Sequence, residues 1–304
     1  MTRTVFLGTS EFAAAVLRRL AESAHRPALV ATRPDRPRGR GQRLAAPPAA
    51  DVARELGIDL LQTPDVVEQD SLRRIRAEEP DVVAVCAFGQ LIREPLLSDF
   101  PLLNVHPSLL PRWRGAAPIE RAIMAGDTQT GASVMQVTAD LDSGPVALQE
   151  RTTIDPDEDF GSLSARLAQI GGELLVRALE GRESGELSFH DQDEALATYA
   201  EKIEPAERRL SPARPAAELA AAVRALTPHI GAHLELHGGE RLGVRAARAE
   251  EGELEAGALE AADGELRLGC RTGVLRLLVV QPPGSRPMAA EDYLRGHDVP
   301  ARAL

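Results

Sequence analysis

The chain has 304 residues, more than one hydrophobic core usually organises, so two domains are expected. Its formal charge of −11, from 35 basic and 46 acidic side chains, excludes a generally basic nucleic-acid coat, and any such contact must come from a local patch. Aromatic residues are only 3%, which leaves the core to Leu, Val, Ile and Ala, and the two cysteines, Cys86 and Cys270, sit apart in apolar surroundings as reduced thiols suited to the cytoplasm.

The N-terminal run MTRTVFLGTSEFAAAV is cut at residues 8–11, and no other run is long enough to span a bilayer, so no membrane partner is expected. In chain order, residues 5–8 read as a strand and 11–23 as a helix that Ser10 can cap. Residues 28–32 form the next strand, 51–56 and 71–79 the next helical patterns. Residues 81–89, DVVAVCAFG, are so uniformly apolar that both faces of that strand must be covered. A strand at 102–106, a helix at 117–125, the strand-like GASVMQV at 131–137 and a long helix at 159–183 complete the alternation. Strands separated by helices predict an α/β domain with a doubly wound parallel sheet over residues 1–185. The first strand-to-helix turn, FLGTSEFA, has one glycine where a dinucleotide fingerprint has three, and the second strand runs into Arg33 where that fingerprint has an acidic residue. Bound NAD(P) is therefore not expected.

Beyond residue 185 the texture changes. Residues 186–205, ELSFHDQDEALATYAEKIEP, mix charge with polar residues and read as a linker. A helix at 216–226 follows, and then HLELHG, GELRLGC and GVLRLLVVQ, short strand-like segments between glycine turns, predict a small β-barrel or sandwich over 206–304. His229, His233 and His237 stand four apart, which on a helix would make a row of metal ligands. Pro228 and Gly231 break any helix there and HLELH alternates as a strand, so no metal is expected.

The chemistry concentrates in NVHPSLLPRWRGAAP, from Asn104 to Pro118. Residues two apart on a strand share a face, so Asn104 and His106 point together at the carboxyl end of a sheet strand, where open α/β sheets bind ligands. An amide NH2 and an imidazole aimed at one spot can both donate to a developing oxyanion, as acyl transfer requires; they can equally be satisfied polar groups ending a strand. Asp127, Asp140 and Asp142 are the candidate carboxylates for the imidazole, and Asp142 stands in the polar loop of ADLDSGPV.

NVHPSLLPRWRGAAPIERAI followed by LDSGP resembles the formyltransferase family that uses 10-formyltetrahydrofolate. FLGTSEFA, RPDRPRGRGQRL, AFGQLI, ATYAEKI and GVLRLLVVQPPGSRPMAAEDYLRG extend the likeness along the chain, toward the members that formylate charged initiator tRNA. The resemblance implies a Rossmann-like catalytic domain with a smaller, OB-like C-terminal β-barrel that binds tRNA. It implies a cytoplasmic, bacterial enzyme of translation initiation, acting as a monomer, with 10-formyltetrahydrofolate as donor and no metal. Formylation of a nucleotide-linked amino sugar is the alternative. Carried over by position, Asn104, His106 and Asp142 are the catalytic set: Asn104 and protonated His106 would hold the oxyanion while Asp142 orients His106. Ser108, Leu109, Leu110 and Pro111 would contact the folate, and Phe88 and Gly89 would line its pterin pocket.

Residues 33–43, RPDRPRGRGQR, hold five arginines and one aspartate, a local charge of +4, with prolines and glycines denying it regular structure. The resemblance places this loop at the tRNA acceptor end, with Arg40 reading it and Arg36, Arg38 and Arg43 beside it. Arg112 and Arg114, flanking Trp113, are either a packed basic rim or a grip on substrate phosphate. The chain departs from the family in TPHIGAH, where an aromatic-rich segment is usual, and in the acidic run Glu250, Glu251, Glu253 and Glu255.

Overall fold

A computed structural model describes residues 2–38, 41, 43–299 and 302–304, which cluster into two units. The first comprises residues 1–115, 129–153 and 164–199, and the second residues 116–128, 154–163 and 200–304.

In the first unit the chain runs through β1 (Thr4–Gly8), α1 (Glu11–Ala21), β2 (Leu29–Thr32), β3 (Arg36–Arg38), β4 (Arg43–Ala45), α2 (Pro48–Leu56), β5 (Asp59–Gln62), α3 (Gln69–Ala77), β6 (Val82–Cys86), α4 (Leu96–Asp99), β7 (Leu102–His106) and β8 (Arg114–Gly115). After α5 (Pro118–Met124) come β9 (Gln129–Gln136), β10 (Val146–Thr153), the long α6 (Phe160–Ser184) and β11 (Tyr199–Ala200). The main sheet has seven strands in the order β10-β9-β7-β6-β1-β2-β5. From β7 to β5 every pairing is parallel, as the alternation predicts, and every residue of β1 and β6 is buried. The parallel pattern ends at β7: β9 pairs with it antiparallel and β10 pairs antiparallel with β9, so one edge of the sheet is mixed. A short connection lets β10 return directly beside β9, where a parallel neighbour would need a crossover. Ser10 caps α1, its Oγ accepting the Ala13 N–H at 3.3 Å.

The loop expected at residues 33–43 is partly regular. β3 and β4 form an antiparallel ribbon with Pro37 opposite Leu44. In a ribbon of two strands each strand is an edge, where a proline's missing N–H breaks no sheet ladder. The strand expected over 81–89 stops at Cys86, because Ala87 takes φ 41° and turns the chain.

The second unit holds α7 (Ala216–Leu226), β12 (Ala232–Glu235), β13 (Arg241–Glu250), β14 (Leu259–Ala262), β15 (Glu265–Gly269), β16 (Val274–Gln281), β17 (Met288–Ala289) and α8 (Ala290–Gly296). Its antiparallel sheet runs β12-β13-β16-β15-β14, with β17 on β16. Leu219, Val223 and Leu226 of α7 share one buried cluster with Leu234, Val244, Leu268, Leu275 and Val280. The C-terminal residues close this sheet: Ala303 bridges to Leu236 beyond one edge and Arg302 to Ala258 beyond the other. The helix at 117–125, expected with the catalytic domain, clusters with this unit, as α5 packs on α7. Among the described residues no helix is long and apolar enough to cross a membrane.

Candidate functional site

The site grows from the carboxyl end of β7. Val85 of β6 stands opposite Asn104 on one side and Met135 of β9 on the other, so β7 is clamped between neighbours and its end is rigid. Gly171 of α6 lets the helix lie close against this strand, since a Cβ there would fall 2.6 Å from Val105 Cγ1. Asn104 and His106 share the opposite face from Val105. Among the described residues, no group hydrogen-bonds the Asn104 side chain.

His106 is 4% exposed, and both sides of its ring meet protein. Nε2 lies 2.8 Å from the Trp113 carbonyl, and Nδ1 lies 3.6 Å from Asp142 Oδ2. A carbonyl can only accept, so Nε2 carries a proton and Nδ1 is the nitrogen left to face Asp142 and any reacting group. The ring is therefore oriented first by a backbone carbonyl, where the sequence reading gave that task to Asp142. Asp142 Oδ2 also accepts the Gly115 N–H at 2.9 Å, which fixes the carboxylate beside the ring. Of the three candidate carboxylates, Asp142 is the one that stands beside the His106 ring.

The loop after β7 is knitted together internally. Ser108 is fully buried, its Oγ donating to the Arg112 carbonyl at 2.6 Å, while its own carbonyl accepts Ser133 Oγ at 2.6 Å. Leu110 is buried, its N–H reaching Ser133 Oγ at 3.2 Å and its carbonyl taking Gln149 Nε2 at 2.8 Å. Leu109 lies against Gly131, and Pro111, with Leu110, lines a cavity of about 260 Å³ that also touches Gln149 and Gln192. Phe88 is 3% exposed and its ring belongs to the core with Val5, Val85 and Leu96. Gly89 takes φ 70°, and the Arg33 guanidinium lies 3.1 Å from where its Cβ would stand. Burial, with a smaller push from Arg36, holds the Arg33 guanidinium below its usual range.

Arg36 and Arg43 are exposed and share one face of the β3–β4 ribbon. Arg38 closes that ribbon opposite Arg43, whereas Arg40 lies outside the described residues. Arg112 is exposed, with its guanidinium 4.4 Å from the Trp113 ring centroid.

The two readings of Arg114 resolve to packing. It is 1% exposed, forms a two-pronged pair with Glu194 at 2.9 and 2.7 Å, and donates through Nε to Gln192 Oε1 at 3.0 Å. Its bond to Glu194 holds the guanidinium above its ordinary range. Losing these bonds removes what holds a buried side chain in place, so Arg114→Met should lower the urea midpoint of unfolding. A variant as stable as the parent would show the pair to be idle.

Sequence reasoning missed the Trp113 carbonyl, the Gly115 N–H, and Gln192, Glu194 and Thr198. The last three stand in the stretch expected to be a linker, which is bonded into this site. ATYAEKI was the only signal pointing there.

The three histidines do not form a row. His229 stacks on Phe160 at 3.6 Å between ring centroids and meets Glu120 at 2.9 Å, while His233 lies on β12. Burial, then the nearby Arg241 and Arg208, push His233 below the ordinary histidine range.

The formyl transferase pattern matches residues 2–179, and the pattern for the formyl transferase C-terminal domain matches residues 202–298. The chain belongs to the formyl transferase family. A methionyl-tRNA formyltransferase of Methylococcus capsulatus is 41% identical over 306 residues, spanning 99% of this chain and 99% of its own. One of Pseudomonas paraeruginosa is 43% identical over 293 residues, spanning 95% and 94%. Among solved structures, HypX from Aquifex aeolicus in complex with tetrahydrofolic acid gives a TM-score of 0.68 at 17% identity, over 100% of this chain and 51% of that one. The sugar 3N-formyl transferase WlaRD gives 0.63 at 12% identity, over 94% and 99%. Both of these likenesses speak to the fold alone.

Proposed function

We propose that this formyl transferase moves the formyl group of 10-formyltetrahydrofolate to the α-amino group of methionyl initiator tRNA, in the cytoplasm. The observation that carries the proposal is whole-length identity of 41–43% to methionyl-tRNA formyltransferases, joined to a strand end that presents Asn104 and His106 on one face with Asp142 3.6 Å from the ring. No second chain is needed to complete this set, which suits a monomer.

The methionyl nitrogen attacks the formyl carbon, and the carbonyl electrons move onto oxygen in a tetrahedral intermediate. The unpartnered Asn104 amide donates to that oxyanion, and His106 Nδ1, on the same strand face, is left to take up the proton that the amine sheds. The amine then loses one proton, the C–N bond to the folate breaks, and the departing folate nitrogen gains one. His106 and Asp142 carry that proton: Asp142 Oδ2 stabilises the charge that appears on the ring when Nδ1 is protonated, and the Trp113 carbonyl keeps the ring from turning. For the folate, the buried Ser108 and Leu110 leave the loop's backbone, with Leu109 and Pro111, as the contact surface. Phe88 acts through packing behind Gly89. A rigid, internally bonded loop loses little freedom on binding a flat heterocycle.

Arg36, Arg38, Arg40 and Arg43 supply the tRNA contact. The decisive assay is transfer of labelled formyl from 10-formyltetrahydrofolate to charged initiator tRNA, beside charged elongator tRNA and amino-sugar nucleotides. Transfer to a sugar alone would refute the reading. If these arginines neutralise phosphates, Arg36→Ala and Arg43→Ala should each flatten the slope of log affinity against log salt by about 1. An unchanged slope in both would remove them from the contact.

A further inference from the structure

We infer that the segment from Gln192 to Thr198 positions the catalytic imidazole through two separate struts, one for each group that flanks the ring. The inference rests on the roles proposed above for His106 and Asp142. The segment falls between the two family matches, which end at 179 and resume at 202.

The two residues whose oxygens face the His106 ring share an uncommon backbone. Trp113 takes φ 63° and Asp142 takes φ 47°. An aspartate tolerates the left-handed region, but a tryptophan there is strained and stays only where its surroundings over-determine it. Those surroundings come from one short segment. Thr198 Oγ1 accepts the Trp113 N–H at 2.9 Å, its carbonyl accepts the Arg114 N–H at 2.9 Å, and its N–H donates to the Pro111 carbonyl at 3.2 Å. One residue therefore holds the chain before, at and after Trp113, and so aims the Trp113 carbonyl at Nε2.

Gln192 is the second strut. Its Nε2 donates to the carbonyls of Asp142 at 2.8 Å and Gly144 at 2.7 Å, while its Oε1 accepts Arg114 Nε at 3.0 Å. The amide thus ties the Asp142 turn to Arg114, which Glu194 of the same segment holds in turn. If Thr198 is released, the strained Trp113 relaxes, and if Gln192 is released, the Asp142 turn loosens; in either case the oxygen moves off the ring. Gln192 and Thr198 are positioning residues: neither hydrogen-bonds His106, and each acts through an oxygen that faces its ring.

The test uses the full chain and steady-state transfer to charged initiator tRNA. Thr198→Val removes the hydroxyl and keeps the branched shape; Gln192→Leu removes the amide at similar size. Each should lower kcat about 10²-fold, the scale of a misplaced reacting group, with both KM values unchanged. Thr198→Ser should restore most of the loss. In nitrogen-15 spectra, the His106 Nε2 proton, protected by the Trp113 carbonyl, should weaken in Thr198→Val and persist in Thr198→Ser. His106→Ala and Asp142→Asn are measured alongside. Parent-like turnover in both of these would overturn the underlying reading, and this inference with it. Their failure beside parent-like Thr198→Val and Gln192→Leu would overturn the struts alone. A loss in Thr198→Ser equal to that in Thr198→Val would also do so, because the hydroxyl would not then be the holding group. Should Thr198→Val not fold, Gln192→Leu and Thr198→Ser decide by the same criteria.

Discussion

Asn104→Ala is expected to lower kcat by about 10²–10³-fold, the usual loss when one oxyanion donor is removed, with little change in either KM. The argument starts from the strand. Neighbours on both sides hold β7, so the Asn104 amide is carried on a rigid support, yet no described residue bonds it. A half-buried amide without a protein partner keeps both of its N–H groups available to a bound substrate. A donor aimed at charge that exists only in the transition state affects kcat and leaves ground-state affinity alone. Asn104→Asp sharpens the test, because it keeps the shape, removes both N–H groups and adds negative charge where negative charge develops. It should be slower than Asn104→Ala. Single-turnover rates, which isolate the chemical step, check both. An alanine variant as fast as the parent would end the oxyanion role.

The sheet and its site were legible in the sequence to unequal depth. Buried parallel strands announce themselves, since β1 and β6 are buried throughout and, Thr4 apart, carry no polar side chain. β5 and β10 were missed for the converse reason. Each is an edge strand with no fully buried residue, so nothing in DLLQ or VALQERTT fixes a period. At the site, side chains were legible and backbone groups were not. Asn104 and His106 are visible as a spacing of two, but the Trp113 carbonyl and Gly115 N–H that hold His106 and Asp142 are common to every residue type and leave no mark. Arg114 stayed open between packing and a grip on phosphate for a related reason: the Glu194 that pairs with it is distant in sequence, so nothing beside Arg114 marks it as buried. Gln192 and Thr198 lie in a stretch whose mixture of charge and polar residues resembles a solvated linker, because the partners that order it are up to 87 residues away.

The second large effect concerns the pair that moves the proton. His106→Ala should lower kcat by about 10²–10⁴-fold, the range for loss of a positioned acid or base. Asp142 permits a cleaner substitution than most carboxylates. Its φ of 47° would strain an alanine, but asparagine visits that region readily, so Asp142→Asn keeps the turn. The new amide oxygen can still accept the Gly115 N–H, which the carboxylate accepts at 2.9 Å, so the variant removes charge and little else. Turnover should fall because nothing then balances an imidazolium formed at Nδ1, 3.6 Å away in the parent. If Asp142 acts only through His106, the losses will not add, and the double variant His106→Ala/Asp142→Asn will be no slower than His106→Ala alone. Additive losses would mean instead that the carboxylate meets the substrate amine directly and takes its proton without the ring, leaving His106 as an oxyanion donor beside Asn104.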